Sequence, residues 1–246
     1  MRGGNWFVKM LEKTDYVKGS EGSRIELMPV SGHISKQKER TLVKTLYEAF
    51  MDEFWHSMLQ AYSNALGYTL CAPESKGVEY ENSTFKGALY MTFCKGKRLS
   101  QIPNTKDHVL FDGKEVRVGS VIAFHCGLID RILECEGLVH GDRALRHLLF
   151  YSENDQYSLS VIDWEKSRQA TPEEIKAESE KFQKALFDRF GHPQAQKLFA
   201  DGRQLVTPLN LADQVYAQTL ESLRNKFNNA TITPNIKDGT LSVEVQ

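Results

Sequence analysis

Two segments of the sequence carry its most informative pattern: Leu138-Val139-His140-Gly141-Asp142-Arg143-Ala144-Leu145-Arg146-His147-Leu148-Leu149-Phe150 and Val161-Ile162-Asp163-Trp164-Glu165. In the first, an apolar pair precedes His140-Gly141-Asp142, and an apolar triplet directly follows His147. In the second, two β-branched residues precede Asp163, as is typical of a strand. Turn-forming residues between the two apolar runs complete the pattern of a hairpin. The sequence therefore predicts that Asp142, His147 and Asp163 lie close together.

These residues are of the types that phosphoryl transfer requires. One carboxylate orients the attacking hydroxyl and accepts its proton, while a second carboxylate and one further ligand hold a divalent cation on the phosphates. An aspartate such as Asp142, taken alone, is more often a surface turn residue. Its apolar flanks and the second aspartate, Asp163, favour a chemical role.

The first segment resembles the catalytic loop of the protein-kinase superfamily, which reads His-x-Asp-x-x-x-x-Asn, and Asp163 resembles the metal-binding aspartate of that family. The His-Gly-Asp form is similar to that of the atypical and small-molecule kinases. The resemblance implies that Asp142 is the catalytic base and that Asp163 and His147 are the metal ligands. It also implies ATP and Mg²⁺ as cofactors.

His147 stands where the family has asparagine, and some bacterial lipopolysaccharide-core kinases are similar in this respect. Imidazole is a softer ligand than an amide oxygen, so Mn²⁺ is an alternative metal. A histidine of the core, without a metal, is the other interpretation of this residue.

The resemblance extends loosely over residues 6–165. Residues 6–10 form a predicted strand that carries Lys9, which resembles the phosphate-binding lysine of the family. A solvated strand lysine is an equally plausible interpretation. The family pairs that lysine with a helical glutamate, and an apolar stripe predicts a helix over residues 38–66. Of the candidates Glu53, Glu48 and Glu39, we prefer Glu53.

Phe93 is the last residue of a predicted strand over residues 87–93, and Cys94 follows it. Both resemble the residues that border the adenine in the family. A hinge is expected at residues 94–99. Further helices are predicted over residues 118–134, 172–190, 193–200 and 209–227. The expected fold class is α+β: a bilobal protein-kinase-like fold with a small β-rich N-lobe containing one long helix (residues 1–94) and a mainly helical C-lobe (residues 95–246). The polar stretch from Asn228 is expected to fray.

Two features of the family are missing. No glycine-rich loop precedes Lys9, so either the chain begins late or a reduced lid is formed near residues 18–22. No Ala-Pro-Glu motif or long activation loop follows Asp163, because a helix start is predicted at Thr171-Pro172. Without these two features the chain resembles a minimal kinase, either one of those that bacteria inject into host cells or a small-molecule kinase.

Composition and charge bear on three further properties: attraction to nucleic acid or membranes, membrane spans and zinc binding. The chain has 31 basic and 32 acidic residues and a net charge of −1, which gives no global attraction to nucleic acid or anionic membranes. No apolar run approaches the roughly 20 residues of a membrane span. The spacing of Cys71, Cys94, Cys126 and Cys135 disfavours zinc and predicts free thiols in a reducing compartment, the cytosol of the producing cell or of a host.

One basic cluster is a candidate anion site. Lys95-Gly96-Lys97-Arg98 is either a solvated hinge turn or, together with Arg143 and Arg146, a patch for a phosphate-rich ligand.

The function expected is an ATP-dependent phosphotransferase that acts on hydroxyl groups of a protein substrate. The alternatives are a small-molecule kinase for a sugar, glycan or inositol compound, and a nucleotide-binding pseudokinase that serves as a scaffold. Nucleotidyl transfer by the same fold also stays open.

Overall fold

The computed structural model describes residues 6–10, 16–19, 36–81, 86–226, 230–235 and 240–245, with side chains described for residues 48–75 and 91–222. In chain order the elements are β1 (Trp6–Met10), β2 (Tyr16–Gly19), α1 (Lys36–Leu66), β3 (Thr69–Cys71), β4 (Ser75–Glu81), β5 (Lys86–Thr92), β6 (Lys97–Arg98), β7 (His108–Phe111), β8 (Lys114–Arg117), α2 (Val118–Glu136), β9 (Leu138–Val139), β10 (Leu148–Glu153), β11 (Gln156–Val161), β12 (Arg168–Gln169), α3 (Pro172–Phe190), α4 (Pro193–Leu205), α5 (Ala212–Lys226), β13 (Ala230–Asn235) and β14 (Thr240–Val245).

The N-terminal part contains an antiparallel sheet with the strand order β2-β1-β5-β4 and the long helix α1. Phe50, Phe54 and Met58 recur along one stripe of α1 and are fully buried, as the helical spacing predicted. The helix stops at Gly67, whose left-handed backbone favours glycine. The predicted helix and the predicted strands of this region are confirmed, with α1 starting two residues earlier than expected.

A second sheet, with the strand order β3-β11-β10-β6, carries the two informative segments. Its centre is the predicted hairpin β10–β11, in which Leu148 pairs with Val161. β3 adds to β11 in parallel and β6 adds to β10 in antiparallel fashion. Segments from before, within and after the predicted hinge thus meet in one sheet. β3 and β6 are too short for the sequence pattern to have indicated them.

The C-terminal part is mainly helical, as expected. α2 and α4 pack closely because glycines face the partner helix: a Cβ on Gly127 would lie 2.2 Å from the carbonyl oxygen of Phe199. α3 begins at Pro172 as predicted, with a capping box in which Thr171 and Glu174 exchange hydrogen bonds. Among the described residues, no helix combines the length and apolar character needed to cross a bilayer.

A tryptophan pair joins α1 to the segment that follows Asp163. The rings of Trp55 and Trp164 stack with centroids 4.1 Å apart, and both side chains are buried. Trp55 Nε1 also donates to Ser167 Oγ at 2.9 Å, and Ser167 Oγ donates to the Val139 carbonyl oxygen at 2.8 Å. One chain of contacts therefore connects the long helix, the residues after Asp163 and the strand before His140.

Two hairpins were not predicted. Strands β7 and β8 are joined by Asp112-Gly113, both with positive φ, which is a known hairpin signal. The expectation of a frayed C-terminal stretch is wrong, because β13 and β14 pair from Ala230–Val245 to Asn235–Thr240. The β-branched run Thr231-Ile232-Thr233 in the first segment, and Thr240, Val243 and Val245 in the second, outweigh the polar character of this stretch.

Candidate active site

Asp142 lies in the turn between β9 and β10, directly after Gly141. Gly141 has φ +82, and a Cβ there would lie 2.2 Å from the carbonyl oxygen of Lys166. Only glycine therefore fits between the predicted catalytic loop, residues 140–147, and the segment after Asp163. The His-Gly-Asp form is explained by this close approach.

His147 and Asp163 face each other at the end of the β10–β11 hairpin. His147 Nδ1 lies 2.8 Å from the Asp142 carbonyl oxygen, which can only accept, so Nδ1 carries the proton. In the neutral ring Nε2 is then an acceptor, and it lies 3.3 Å from Asp163 Oδ2. A cation shared by these two atoms would make their approach favourable.

The pair fits a divalent cation. The described residues contain no group of three or more His, Cys, Asp or Glu side chains around one point. A metal held here would complete its coordination with phosphate oxygens and water, as Mg²⁺ usually does. The structure thus brings together the two residues that the sequence predicted as metal ligands.

His140 connects the two aspartate segments without reaching the surface. Its Nε2 donates to the Ile162 carbonyl oxygen at 3.0 Å, and its Nδ1 accepts from the Asp142 backbone N–H at 3.3 Å. Burial lowers the pKa of His140 to about 4. The ring is therefore neutral at physiological pH. It links the backbone of Asp142 to Ile162, the residue before Asp163.

The Asp142 carboxylate lies between two cations. Arg146 Nη2 is 3.1 and 3.2 Å from its two oxygens, and Lys166 Nζ is 3.4 Å from Oδ2. Burial raises the pKa of Asp142, but Lys166, Arg146 and His147 together outweigh it and hold that pKa below its usual value. Asp142 is consequently ionised at neutral pH.

A carboxylate from α3 fixes the backbone of the catalytic loop. Glu178 accepts the N–H groups of His140 at 3.0 Å and of Gly141 at 2.7 Å. Sequence reasoning missed this residue, because a glutamate on an amphipathic helix gives no sign that its partners are two backbone amides 37 or more residues away.

A cavity of about 170 Å³ opens beside Asp163. Its lining combines hinge residues, apolar residues of the hairpin sheet and acidic residues of α1: Glu48, Asp52, Pro73, Met91, Thr92, Phe93, Cys94, Arg98, Leu149, Ile162, Asp163, Trp164 and Glu165. Phe93 and Cys94, predicted to border the adenine, share this cavity with the predicted metal ligand Asp163. Burial raises the pKa of the Cys94 thiol to about 12, so it stays protonated.

The remaining predicted residues are placed as follows. Lys9 lies on β1 opposite Leu89 of β5, and its side chain lies outside the described residues. Glu53 accepts from Ser222 Oγ of α5 at 3.5 Å and does not line the cavity. Glu48 does line it.

Asp52, one turn after Glu48 on α1, was not singled out from the sequence. Both carboxyl groups are buried and reach the cavity. Their spacing of four residues places them on one helix face, which is the signal that would have found Asp52.

Arg143 does not belong to the predicted basic patch. Arg143 is buried, with its guanidinium 2.5 Å from Asp130 and 3.9 Å from the centre of the Phe182 ring, so it does not reach solvent. The sequence could not show this, because arginine is seldom buried unless a partner is provided by another element.

An N-terminal sheet with one long helix, a hairpin whose two ends lie next to Asp142 and Asp163, and a mainly helical C-terminal part define an α+β fold, as expected from the sequence. No protein-family model and no curated protein matches the sequence.

Among the solved structures that are similar to the chain are two of low sequence identity. One is the Rio2 kinase–ADP/Mg²⁺–phosphoaspartate complex from Chaetomium thermophilum, with a TM-score of 0.40 and 16% identity over 85% of this chain. The chain spans 63% of the length of that Rio2 structure. The other is WaaP in complex with acyl carrier protein, with a TM-score of 0.38 and 12% identity over 72% of this chain and 76% of WaaP.

Proposed function

We propose that this protein is an ATP-dependent phosphotransferase that phosphorylates a hydroxyl group. The observation that carries the proposal is the approach of His147 Nε2 to Asp163 Oδ2 at 3.3 Å, with Asp142 fixed to the same imidazole through its carbonyl oxygen. A ligand pair and an ionised carboxylate are thereby joined in one rigid unit. This is the minimum set that phosphoryl transfer needs.

Asp142 is assigned as the residue that orients the acceptor hydroxyl. The acceptor oxygen forms a bond to the γ-phosphorus, the bond from the γ-phosphorus to the bridging oxygen breaks, and ADP leaves. The hydroxyl proton passes to Asp142 and then to solvent. A carboxylate with a lowered pKa is a weak base, so its main contribution is orientation, which suits the loose transition state of this reaction.

Asp163 and His147 are assigned as the ligands of a divalent cation, Mg²⁺ or, because of the imidazole, Mn²⁺. When bound, the cation neutralises charge on the phosphates. His140 and Glu178 position the loop that presents these groups.

The cavity is assigned to the nucleotide, with Phe93 and Cys94 beside the adenine. Lys9 is assigned to the phosphates. Glu53 was the acidic partner preferred from the sequence, but Glu48 and Asp52 are better supported, because they line the cavity whereas Glu53 contacts α5. We place the lobe boundary after residue 94, at the hinge.

For the acceptor, the connection after Asp163 is informative. Between Asp163 and the start of α3 at Pro172 the chain forms one helical turn and the strand β12, which pairs with β9. No long loop is available there to dock a peptide. This favours the small-molecule acceptor, a sugar, glycan or inositol compound, over the protein acceptor expected from the sequence. A role as a bacterial effector in a host cytosol stays a prediction.

The test is transfer of label from [γ-³²P]ATP in the presence of Mg²⁺ or Mn²⁺, with products separated into protein and small-molecule fractions. We expect label in the small-molecule fraction, lost in Asp142→Ala. Equal labelling by Asp142→Ala would show that the base is assigned wrongly. A parallel reaction with [α-³²P]ATP tests the alternative, because label that enters the product from the α-phosphate would indicate nucleotidyl transfer.

Nucleotide binding is tested separately by thermal shift with AMP-PNP. Stabilisation that needs the metal, and that Asp163→Ala abolishes, is the expected result. Metal-dependent binding without transfer would support the pseudokinase alternative.

A further inference from the structure

The surroundings of Asp142 on its solvent side distinguish one class of acceptor. Arg146 and Lys166 approach the carboxylate from outside, with 54% and 57% of their side chains exposed. Neither residue lines the cavity that contains Asp163. The two exposed cations are therefore assigned to the acceptor's side of Asp142, and the cavity to the nucleotide.

Both cations have unused hydrogen-bonding capacity. Arginine has five N–H donors and lysine has three. Within the described part of the chain, Arg146 uses one terminal nitrogen and Lys166 makes one contact, all of them to Asp142. Exposed ion pairs of this kind contribute only about 0–1 kcal/mol, so their rearrangement onto another anion costs little.

The charge balance points the same way. Two positive groups face one negative group, which leaves a local excess of one positive charge beside the assigned base. An acceptor hydroxyl that hydrogen-bonds Asp142 places its neighbouring carbon atoms next to the guanidinium and the ammonium. A charged oxyanion on one of those carbons would meet both cations and would be held by charge-assisted hydrogen bonds.

We propose that the acceptor is a small polyol that carries an anionic group, a phosphate monoester or a carboxylate, beside the hydroxyl to be phosphorylated, and that Arg146 and Lys166 bind that group. The inference rests on the proposed function. A sugar phosphate, an inositol phosphate and a sugar acid share the required chemistry.

The first experiment needs no knowledge of the acceptor. The protein is saturated with AMP-PNP and Mg²⁺, so that the nucleotide site is filled, and is then titrated with inorganic phosphate in a thermal-shift assay. We expect further stabilisation of the wild type, and its loss in the double variant Arg146→Gln/Lys166→Gln. Lys197→Gln removes a charge from an exposed position on α4 and is expected to behave as the wild type.

The outcomes are distinguishable. Phosphate that gives the wild type no stabilisation, or stabilises the double variant equally, overturns the inference. A protein that AMP-PNP does not stabilise in the presence of metal contradicts the proposed function itself.

The second experiment compares transfer to matched acceptors: glycerol and glycerol 3-phosphate, inositol and inositol 1-phosphate, and glucose, glucose 6-phosphate and glucuronate. We expect at least a tenfold higher kcat/KM for the charged member of the pair that is used, decreasing with salt. Glucuronate carries a carboxylate and no phosphate, so its use as an acceptor shows whether a carboxylate is sufficient. In Arg146→Gln the preference should fall about tenfold, and Arg146→Lys should retain part of it. A preference unchanged in Arg146→Gln, with a raised KM for ATP, would show that the cations serve the nucleotide.

Discussion

The Arg143 guanidinium lies 2.5 Å from Asp130 Oδ1, and both side chains are buried behind the catalytic loop. Asp130 also accepts from Ser179 Oγ at 2.9 Å and pairs with Arg203 of α4. Burial lowers the pKa of Arg143 to about 10, which leaves it charged at neutral pH. The residue next to the assigned base is therefore anchored to α2, and through Asp130 to α3 and α4.

Arg143→Met removes one partner of this buried pair. We expect a loss of about 3–5 kcal/mol in the free energy of unfolding, because Asp130 keeps a buried charge with fewer partners. Urea denaturation measures it. The exposed Arg146→Met serves as the control and should change stability by less than about 1 kcal/mol. Equal losses in the free energy of unfolding for the two variants would show that the buried pair contributes no more to stability than the exposed one.

Gly141→Ala tests the close approach of the catalytic loop to Lys166. Gly67 has a similar backbone, φ +76, but a Cβ there has no neighbour within 4 Å. Gly67→Ala should therefore cost only the left-handed backbone strain, about 1–2 kcal/mol. Gly141→Ala should cost more and should also abolish transfer. Full activity of Gly141→Ala would contradict the described loop geometry.

His147→Asn replaces the imidazole by the amide of the family pattern. An amide oxygen is a harder ligand, so we expect the ratio of Mn²⁺-supported to Mg²⁺-supported activity to fall relative to the wild type. His147→Ala should weaken metal binding by at least the roughly 10–100-fold seen when outer-shell partners are removed. Metal titrations of AMP-PNP binding measure both. An unchanged metal affinity in His147→Ala would exclude this residue as a ligand.

Asp52→Asn and Glu48→Gln test the acidic face of α1, with Glu53→Gln as a matched control on the same helix. Because the first two side chains line the cavity, we expect a rise of at least about tenfold in the KM for ATP, equal to about 1.4 kcal/mol. Glu53→Gln should leave that KM within about twofold. The opposite ranking would restore Glu53 as the acidic partner of the nucleotide site.

Stability should fall below neutral pH because burial lowers the pKa of two histidines, His140 and His125. His125 lies away from the candidate site and is the simpler one to test. The buried ring of His125 is surrounded by aromatic side chains, those of Tyr68, Phe111, Phe124 and Phe150. Burial lowers its pKa to about 4, only partly opposed by a Val121 hydrogen bond and Asp112.

Between pH 6.5 and 4 the unfolded chain binds a proton at His125 that the folded chain does not, so stability is lost as the pH falls through this window. Complete loss of this term corresponds to on the order of 3 kcal/mol. Denaturation at pH 7 and pH 5 measures it. His125→Phe should show a smaller decrease than the wild type, and an equal decrease would assign the effect to other groups.

Much of this architecture follows from local pattern. The periodic apolar residues of α1 and α2, the capping signals at Thr171 and the β-branched run before Asp163 each specify their own element. The hairpin, and the proximity of Asp142, His147 and Asp163 that follows from it, were therefore predictable. The two-residue strand β6 has no period to detect.

Other features depend on contacts between distant segments. Glu178 meets backbone amides, Arg143 meets an aspartate on another helix, and the choice between Glu53 and Asp52 is made by how α1 packs against α5 and the cavity. None of these is encoded in spacing along the chain.

The Trp55–Trp164 stack has a consequence for control. Kinase-like enzymes that are switched on and off need a helix or a metal-binding segment that moves independently. Here the two are locked by an aromatic contact and by hydrogen bonds through Ser167. For the proposed phosphotransferase, we therefore expect activity that does not depend on a conformational switch between these two segments.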